Sequence, residues 1–187
     1  MHIAALLLCL VLYALCIKIY TIPSGSNYPT LIIGDYAVVS KLSYAIKEPQ
    51  PGDLAAFYFK NGDVEYIKRI VGLPGDKIQM RDGGLFINGE PVHKVRLEDF
   101  YLPHNEFAPR YRETLPNGVT YHVLDTHWNS PSDNTEEYVV PESSYFVLGD
   151  NRDNSNDSRF MDRLGFVKRQ DLIGPMIFKF HHTRPQK

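Results

Sequence analysis

Val64-Glu65-Tyr66-Ile67-Lys68-Arg69-Ile70-Val71 decides the fold class. β-Branched and aromatic residues dominate the stretch, and Asn61-Gly62-Asp63 and Pro74-Gly75-Asp76 bracket it with turn chemistry. At a period of two, Val64, Tyr66, Lys68 and Ile70 share one face, and Glu65, Ile67, Arg69 and Val71 share the other. Arg69 has a carboxylate on its own face, whereas Lys68 sits alone among apolar neighbours. Two readings of Lys68 stay open at this level. Either its stem packs while the ammonium reaches water, or burial disfavours the charged form and lowers its pKa by up to ~3–5 units.

Outward from this strand, further strand-like segments fall at 35–40, 54–59, 77–80, 85–88, 119–124, 137–140, 145–148 and 172–180. Pro51-Gly52-Asp53, Asp82-Gly83-Gly84 and Asn117-Gly118 punctuate them, and 77–80 with 85–88 reads as a hairpin. Residues 93–116 are polar, aromatic and irregular, which predicts a surface insertion. The expectation is a mainly β domain, an antiparallel sheet or barrel-like body. Gly and Pro number 13 each, which argues against a helical bundle.

The N-terminus differs in kind. Ile3 to Ile17 is an unbroken run of 15 apolar residues, and the apolar character continues through Ile22, interrupted by Lys18 and Thr21. About 20 such residues span a bilayer core, with a terminal lysine snorkelling and Tyr20 at the interface. Residues 1–22 are therefore expected to be a single transmembrane helix, and 23–187 an extracytoplasmic β domain. A cleaved signal peptide would want a basic start and a small-residue exit, which Cys16-Ile17-Lys18-Ile19-Tyr20 does not offer.

In the 187 residues, 20 Lys+Arg against 22 Asp+Glu leave a net charge of −2, so nucleic acid is not the expected partner. Cys9 and Cys16, both in the apolar run, provide neither a disulfide framework nor a cysteine zinc site. In Gly149-Asp150-Asn151-Arg152-Asp153-Asn154-Ser155-Asn156-Asp157-Ser158-Arg159, counting an EF-hand from Asp150 or Asp153 puts Ser155 or Ser158 where glycine is required. Calcium is not expected there, and the seven histidines form no metal pattern. The loop Pro23-Ser24-Gly25-Ser26-Asn27-Tyr28-Pro29 is rigid, but its serines become nucleophiles only beside a base. A Ser-His-Asp triad stays open on spacing, although no histidine has a base-like context.

Taken in order, five stretches resemble bacterial type I signal peptidase (leader peptidase), a membrane-anchored Ser-Lys protease. They are Pro23-Ser24-Gly25-Ser26 with Pro29-Thr30-Leu31; Gly34-Asp35; Pro51-Gly52-Asp53; Tyr66-Ile67-Lys68-Arg69 with Val71-Gly72-Leu73-Pro74-Gly75-Asp76; and residues 149–159. The resemblance implies Ser26 as nucleophile, Lys68 as general base and Ser24 as oxyanion donor beside the Ser26 N–H. It implies that Ser155 orients the Lys68 amine, that Arg69, Asp157 and Arg159 form a supporting scaffold, and that Tyr66 packs near the site. It further implies a cofactor-free, metal-free monomer in the bacterial plasma (inner) membrane, cutting signal peptides from exported preproteins after small residues. The family usually has methionine after the nucleophile, and this chain has Asn27. Asn27 is expected to line or support the pocket for the substrate's small residues, with methionine there doing at least as well. A specialised conjugation-type peptidase with few substrates and a non-catalytic tethered relative are the alternatives. A LexA-like repressor would need a helix-turn-helix, and none is legible.

Overall fold

Ile17-Lys18-Ile19-Tyr20-Thr21 alternates, and in the computed structural model it is a strand. The structure describes residues 16–181 except 60, 61, 63, 103–105, 128 and 129. Strand β1 (Ile17–Thr21) runs antiparallel to β2 (Tyr36–Ser40), with Ile17 opposite Ser40 and Thr21 opposite Tyr36. Lys18 Nζ reaches both Glu65 carboxylate oxygens at 2.7 Å, and Ile22 is buried in a core cluster. This corrects the expected anchor boundary at residue 22: the segment from Ile17 onward belongs to the β domain. The rest of that expected helix, residues 1–15, lies outside the described residues. Among the described residues no helix is long and apolar enough to cross a membrane. Hydropathy alone does not separate a helix end from a strand start, and here pairing with β2 decides.

A one-turn helix, α1 (Ser43–Ile46), follows β2. Then come β3 (Leu54–Phe59) and β4 (Val64–Gly72), paired antiparallel from Leu54–Arg69 to Phe59–Val64. From Ile67 to Gly72 both faces of β4 are buried, so period two marks its faces but not which one is wet. Ile67, Ile70 and Val71 each enter a different core cluster, which makes β4 the spine of the domain. The expected hairpin is β5 (Lys77–Arg81) with β6 (Gly84–Ile87), Arg81 facing Gly84, and β7 (Glu90–Pro91) extends it.

Residues 93–116 are not an irregular insertion. They contain β8 (His93–Arg96), β9 (Phe100–Leu102), β10 (Glu106–Ala108) and β11 (Arg110–Thr114). β11 lies between β8 and β12 (Thr120–Leu124) in a three-stranded sheet, while β9 pairs with β10. Glu113 and Leu115 are buried, Leu115 in the same cluster as Tyr121, Val123 and Phe146. The segment reads as polar because part of its interior is ionic.

The chain ends with β13 (Tyr138–Val139), β14 (Ser144–Leu148), β15 (Val167–Lys168) and β16 (Leu172–Phe180). The main sheet has the order β1-β2-β16-β3-β4-β14-β15, and a second sheet has the order β13-β5-β6-β7. With β1 and β15 as its ends, the main sheet is open among the described residues rather than a closed barrel. The mainly β, antiparallel expectation stands.

Candidate active site

Three pieces of backbone meet at the centre of the main sheet: the loop after β1, the strand β4, and the segment after β14. The loop is fixed at its base by Ile22 N donating to Asp35 O at 2.8 Å and Gly34 N donating to Ile22 O at 2.9 Å. Within it, Tyr28 N bonds Gly25 O at 3.1 Å and Leu31 N bonds Asn27 O at 2.9 Å, a pair of tight turns. Asn151 holds it from the other side, its N–H on Ser26 O at 3.1 Å and its Nδ2 on Gly25 O at 3.0 Å. Gly149 permits this approach, since a Cβ there would lie 2.1 Å from Ser155 Oγ and 2.6 Å from Ser26 O. Any larger residue at 149 would push the two segments apart.

Lys68 Nζ and Ser26 Oγ share a hydrogen bond of 2.7 Å. Lys68 is 3% exposed, and burial lowers its pKa from 10.5 to about 8. The negative charges of Asp157 and Asp150 oppose that shift and Arg159 assists it, but desolvation is the largest influence. The displacement weighs about 3 kcal/mol against the ammonium form. Of the two readings of Lys68, the structure selects the buried amine. Ser24 Oγ lies 3.4 Å from Ser26 Oγ, and the Tyr66 ring centroid is 5.8 Å from Lys68 Nζ.

Alternation along β4 sends Arg69 to the other face. Its Nε and Nη2 bond the two carboxylate oxygens of Asp150 at 2.8 and 2.6 Å, and Nη1 bonds Gly52 O at 2.6 Å. Burial disfavours the guanidinium charge, but Asp150 more than restores it, so the Arg69 pKa is raised. Asp150 also accepts from Thr30 Oγ1, which ties the same pair to the serine loop. Asp157 receives Arg159 Nε at 2.8 Å and Gly149 N at 3.0 Å. Although burial raises its pKa, Arg159 wins and holds the Asp157 carboxyl below the usual range. Arg69, Asp157 and Arg159 thus brace the backbone around the pair.

Ser155 is placed differently from the expectation. Its Oγ is buried and has no hydrogen-bond partner among the described residues, Lys68 included. It sits near enough to Asp157 to help stabilise that carboxylate, short of a well-formed hydrogen bond. Motif reading missed the roles of Asp150, Asn151 and Arg152, which stand in the quoted stretch, and of Glu113, the partner of Arg152, which it did not single out. Glu113 Oε1 and Oε2 accept from Arg152 Nη1 and Nη2 at 2.9 and 2.5 Å, both side chains fully buried. The density of Asn, Asp and Arg in residues 149–159 was the available signal.

A cavity of about 490 Å³ opens beside the pair, with Tyr20, Ile22 and Pro23 on one wall and Val64, Tyr66 and Ile67 on the other. A larger cavity of about 620 Å³, by Phe57 and Phe166, is lined by neither Ser26 nor Lys68. Among the described residues, Asp125, Asp133 and Asp153 bring carboxylate oxygens within 4.8 Å of one another, and Lys94 Nζ lies 2.5 Å from Asp125.

The sequence profile of the family described as "Signal peptidase, peptidase S26" matches residues 1–181. A signal peptidase I of Rickettsia akari is 34% identical over 202 residues, covering 94% of this chain and 75% of its own. The signal peptidase I of Rickettsia typhi is 35% identical, covering 94% of this chain and 76% of its own. A crystal structure of a signal peptidase I from Enterococcus faecalis V583 is 32% identical and covers 70% of this chain and 98% of its own. Its TM-score is 0.42, a superposition too loose to bear on the fold.

Proposed function

The chain belongs to the peptidase S26 family of signal peptidases and is a serine endopeptidase that removes signal peptides; from that premise we propose that Ser26 and Lys68 are its catalytic dyad. The observation that carries the proposal is a 2.7 Å hydrogen bond between a loop serine and a buried lysine. Neutral Lys68 takes the Ser26 hydroxyl proton as Oγ attacks the scissile carbonyl. The resulting ammonium delivers that proton to the leaving amine. Water then hydrolyses the acyl-enzyme, with Lys68 again as base, and Ser26 regains its proton. Neither a histidine nor a metal is required by this route.

The oxyanion is assigned to the Ser26 N–H and Ser24 Oγ. Removing one such donor costs ~10²–10³ in turnover. Ser24→Ala is expected to lower kcat by about that factor and leave thermal unfolding unchanged; unchanged turnover would make Ser24 an ordinary loop residue.

Substrate is assigned to the cavity between β1 and β4. Over residues 64–68 β4 has β3 on one side and, among the described residues, no strand on the other. An extended peptide placed along that edge satisfies its backbone by strand addition and presents alternate side chains to the pocket. The preferred substrates are preproteins with small residues at −1 and −3. The chain is proposed to work as a monomer at a bilayer, held by the apolar residues before Ile17, with its β domain on the extracytoplasmic side of a bacterial plasma membrane.

Activity should depend on pH in a direction set by Lys68. The amine is a base only when neutral, so kcat/KM rises about tenfold per pH unit up to about pH 8 and then levels. A pH profile on an Ala-x-Ala preprotein checks this. A limb near pH 6.5 would point to a histidine instead. Cleavage by wild type beside Ser26→Ala tests the dyad itself.

A further inference from the structure

Ser26 and Lys68 are not the only bonded neighbours at this junction. The next residue of the loop, Asn27, donates Nδ2 to the carbonyl of Ile67, which precedes Lys68, at 2.7 Å. Two bonds of equal length therefore join consecutive residues of the loop to consecutive residues of β4. The Ile67 bond falls where β4, paired with β3 on one side, has no strand on the other among the described residues, because β14 joins it only from Arg69 onward. Asn27 is 4% exposed, and its Oδ1 is buried with no hydrogen-bond partner among the described residues. A buried amide with one end unsatisfied is a costly residue to keep. Among the described residues, its one side-chain bond goes to the backbone beside the amine.

On the reading that Ser26 and Lys68 form the dyad, we propose that Asn27 is a positioning residue: its amide clamps the Ile67 carbonyl, sets the Ser26–Lys68 separation and excludes water from the Lys68 amine. The clamp adds a polar rung beside the reacting one and shares its backbone at both ends. Without it, the Ile67 carbonyl must find another donor, and water is the available one. Water admitted there hydrates Lys68 and relieves the desolvation that keeps the amine neutral. The charged groups acting on Lys68 are Asp157, Asp150 and Arg159, and Asn27 adds no charge to that balance. The expectation that methionine serves equally well after the nucleophile is reversed, because methionine has no N–H to donate.

The test compares the full chain in detergent as wild type, Asn27→Leu, Asn27→Met, Asn27→Gln and Ser26→Ala, on one Ala-x-Ala preprotein. Leucine keeps the approximate shape of asparagine and removes the donor; glutamine keeps the donor on a longer arm. The expected result is a kcat lower by ~10–100-fold for Leu and Met, with KM within about twofold. Their acid limb should move to higher pH by about one unit, and Gln should recover part of both effects. Should Asn27→Leu fail to fold, Asn27→Ala removes the donor without filling space and gives the same readings. Folded Leu and Met variants with wild-type kcat and an unmoved limb would overturn the proposal. A raised KM with unchanged kcat would also overturn it, in favour of a pocket lining. Residual cleavage by Ser26→Ala would instead overturn the dyad, a result independent of position 27.

Discussion

Ser26→Ala and Lys68→Ala are each expected to abolish preprotein cleavage, with the double substitution no worse than either. Loss of a nucleophile or its base costs ~10⁴-fold or more, and groups that act as a unit are not additive. The 2.7 Å bond makes these two side chains one unit. Lys68→Met adds a check on folding. In the native state burial disfavours the ammonium, moving its pKa from 10.5 to about 8, so below pH 8 the protonated lysine weakens the fold. The missing stability is regained as pH rises from about 8 to 10.5. At pH 7 the Lys68→Met protein should therefore melt at or above wild type while remaining inactive. Substantial turnover by folded Lys68→Ala would remove lysine from the role of base.

Glu113→Ala has the next largest expected effect, on stability. It strands the Arg152 guanidinium, fully buried and bonded at 2.9 and 2.5 Å to the carboxylate that is lost. Breaking one side of such a pair costs ~3–5 kcal/mol. For a domain of this size that lowers Tm by roughly 10 °C. Tyr121 Oη, which donates to Glu113 at 2.7 Å, loses its acceptor as well. A paired Glu113→Leu/Arg152→Met change should recover most of the loss, because apolar packing of similar volume often matches a buried ion pair. Thermal unfolding of the two singles and the double gives the coupling. A single change worth under ~1 kcal/mol would return residues 93–116 to the status of a surface appendage.

These expectations rest on residues that were unequally visible beforehand. Period-two alternation and the turn triplets located β3, β4, the β5–β6 hairpin, β14 and β16 within a residue or two. Those signals are local, and a strand bounded by turns carries its own evidence. Lys68 stood out because it was the one charge on an apolar face, and the ordered motifs nominated Ser26, Ser24 and Ser155 beside it. By itself, then, the amino-acid sequence determined a mainly β domain, the family resemblance and the nominated dyad.

Tertiary structure decided the remainder, for a physical reason common to every case. Whether Ile17–Thr21 ends a helix or begins a strand depends on the open edge of β2, not on hydropathy. Whether Glu113 is surface or core depends on Arg152, 39 residues away. Asn151 reaches Gly25 across 126 residues, and Asn27 reaches Ile67 across 40. Buried polar groups need partners, and a linear pattern records which groups are polar but not which will meet. Lys68 is the clearest instance. Its strand face was legible in eight residues, but its state was decided when the loop after β1 folded against β4 and left Ser26 as its neighbour.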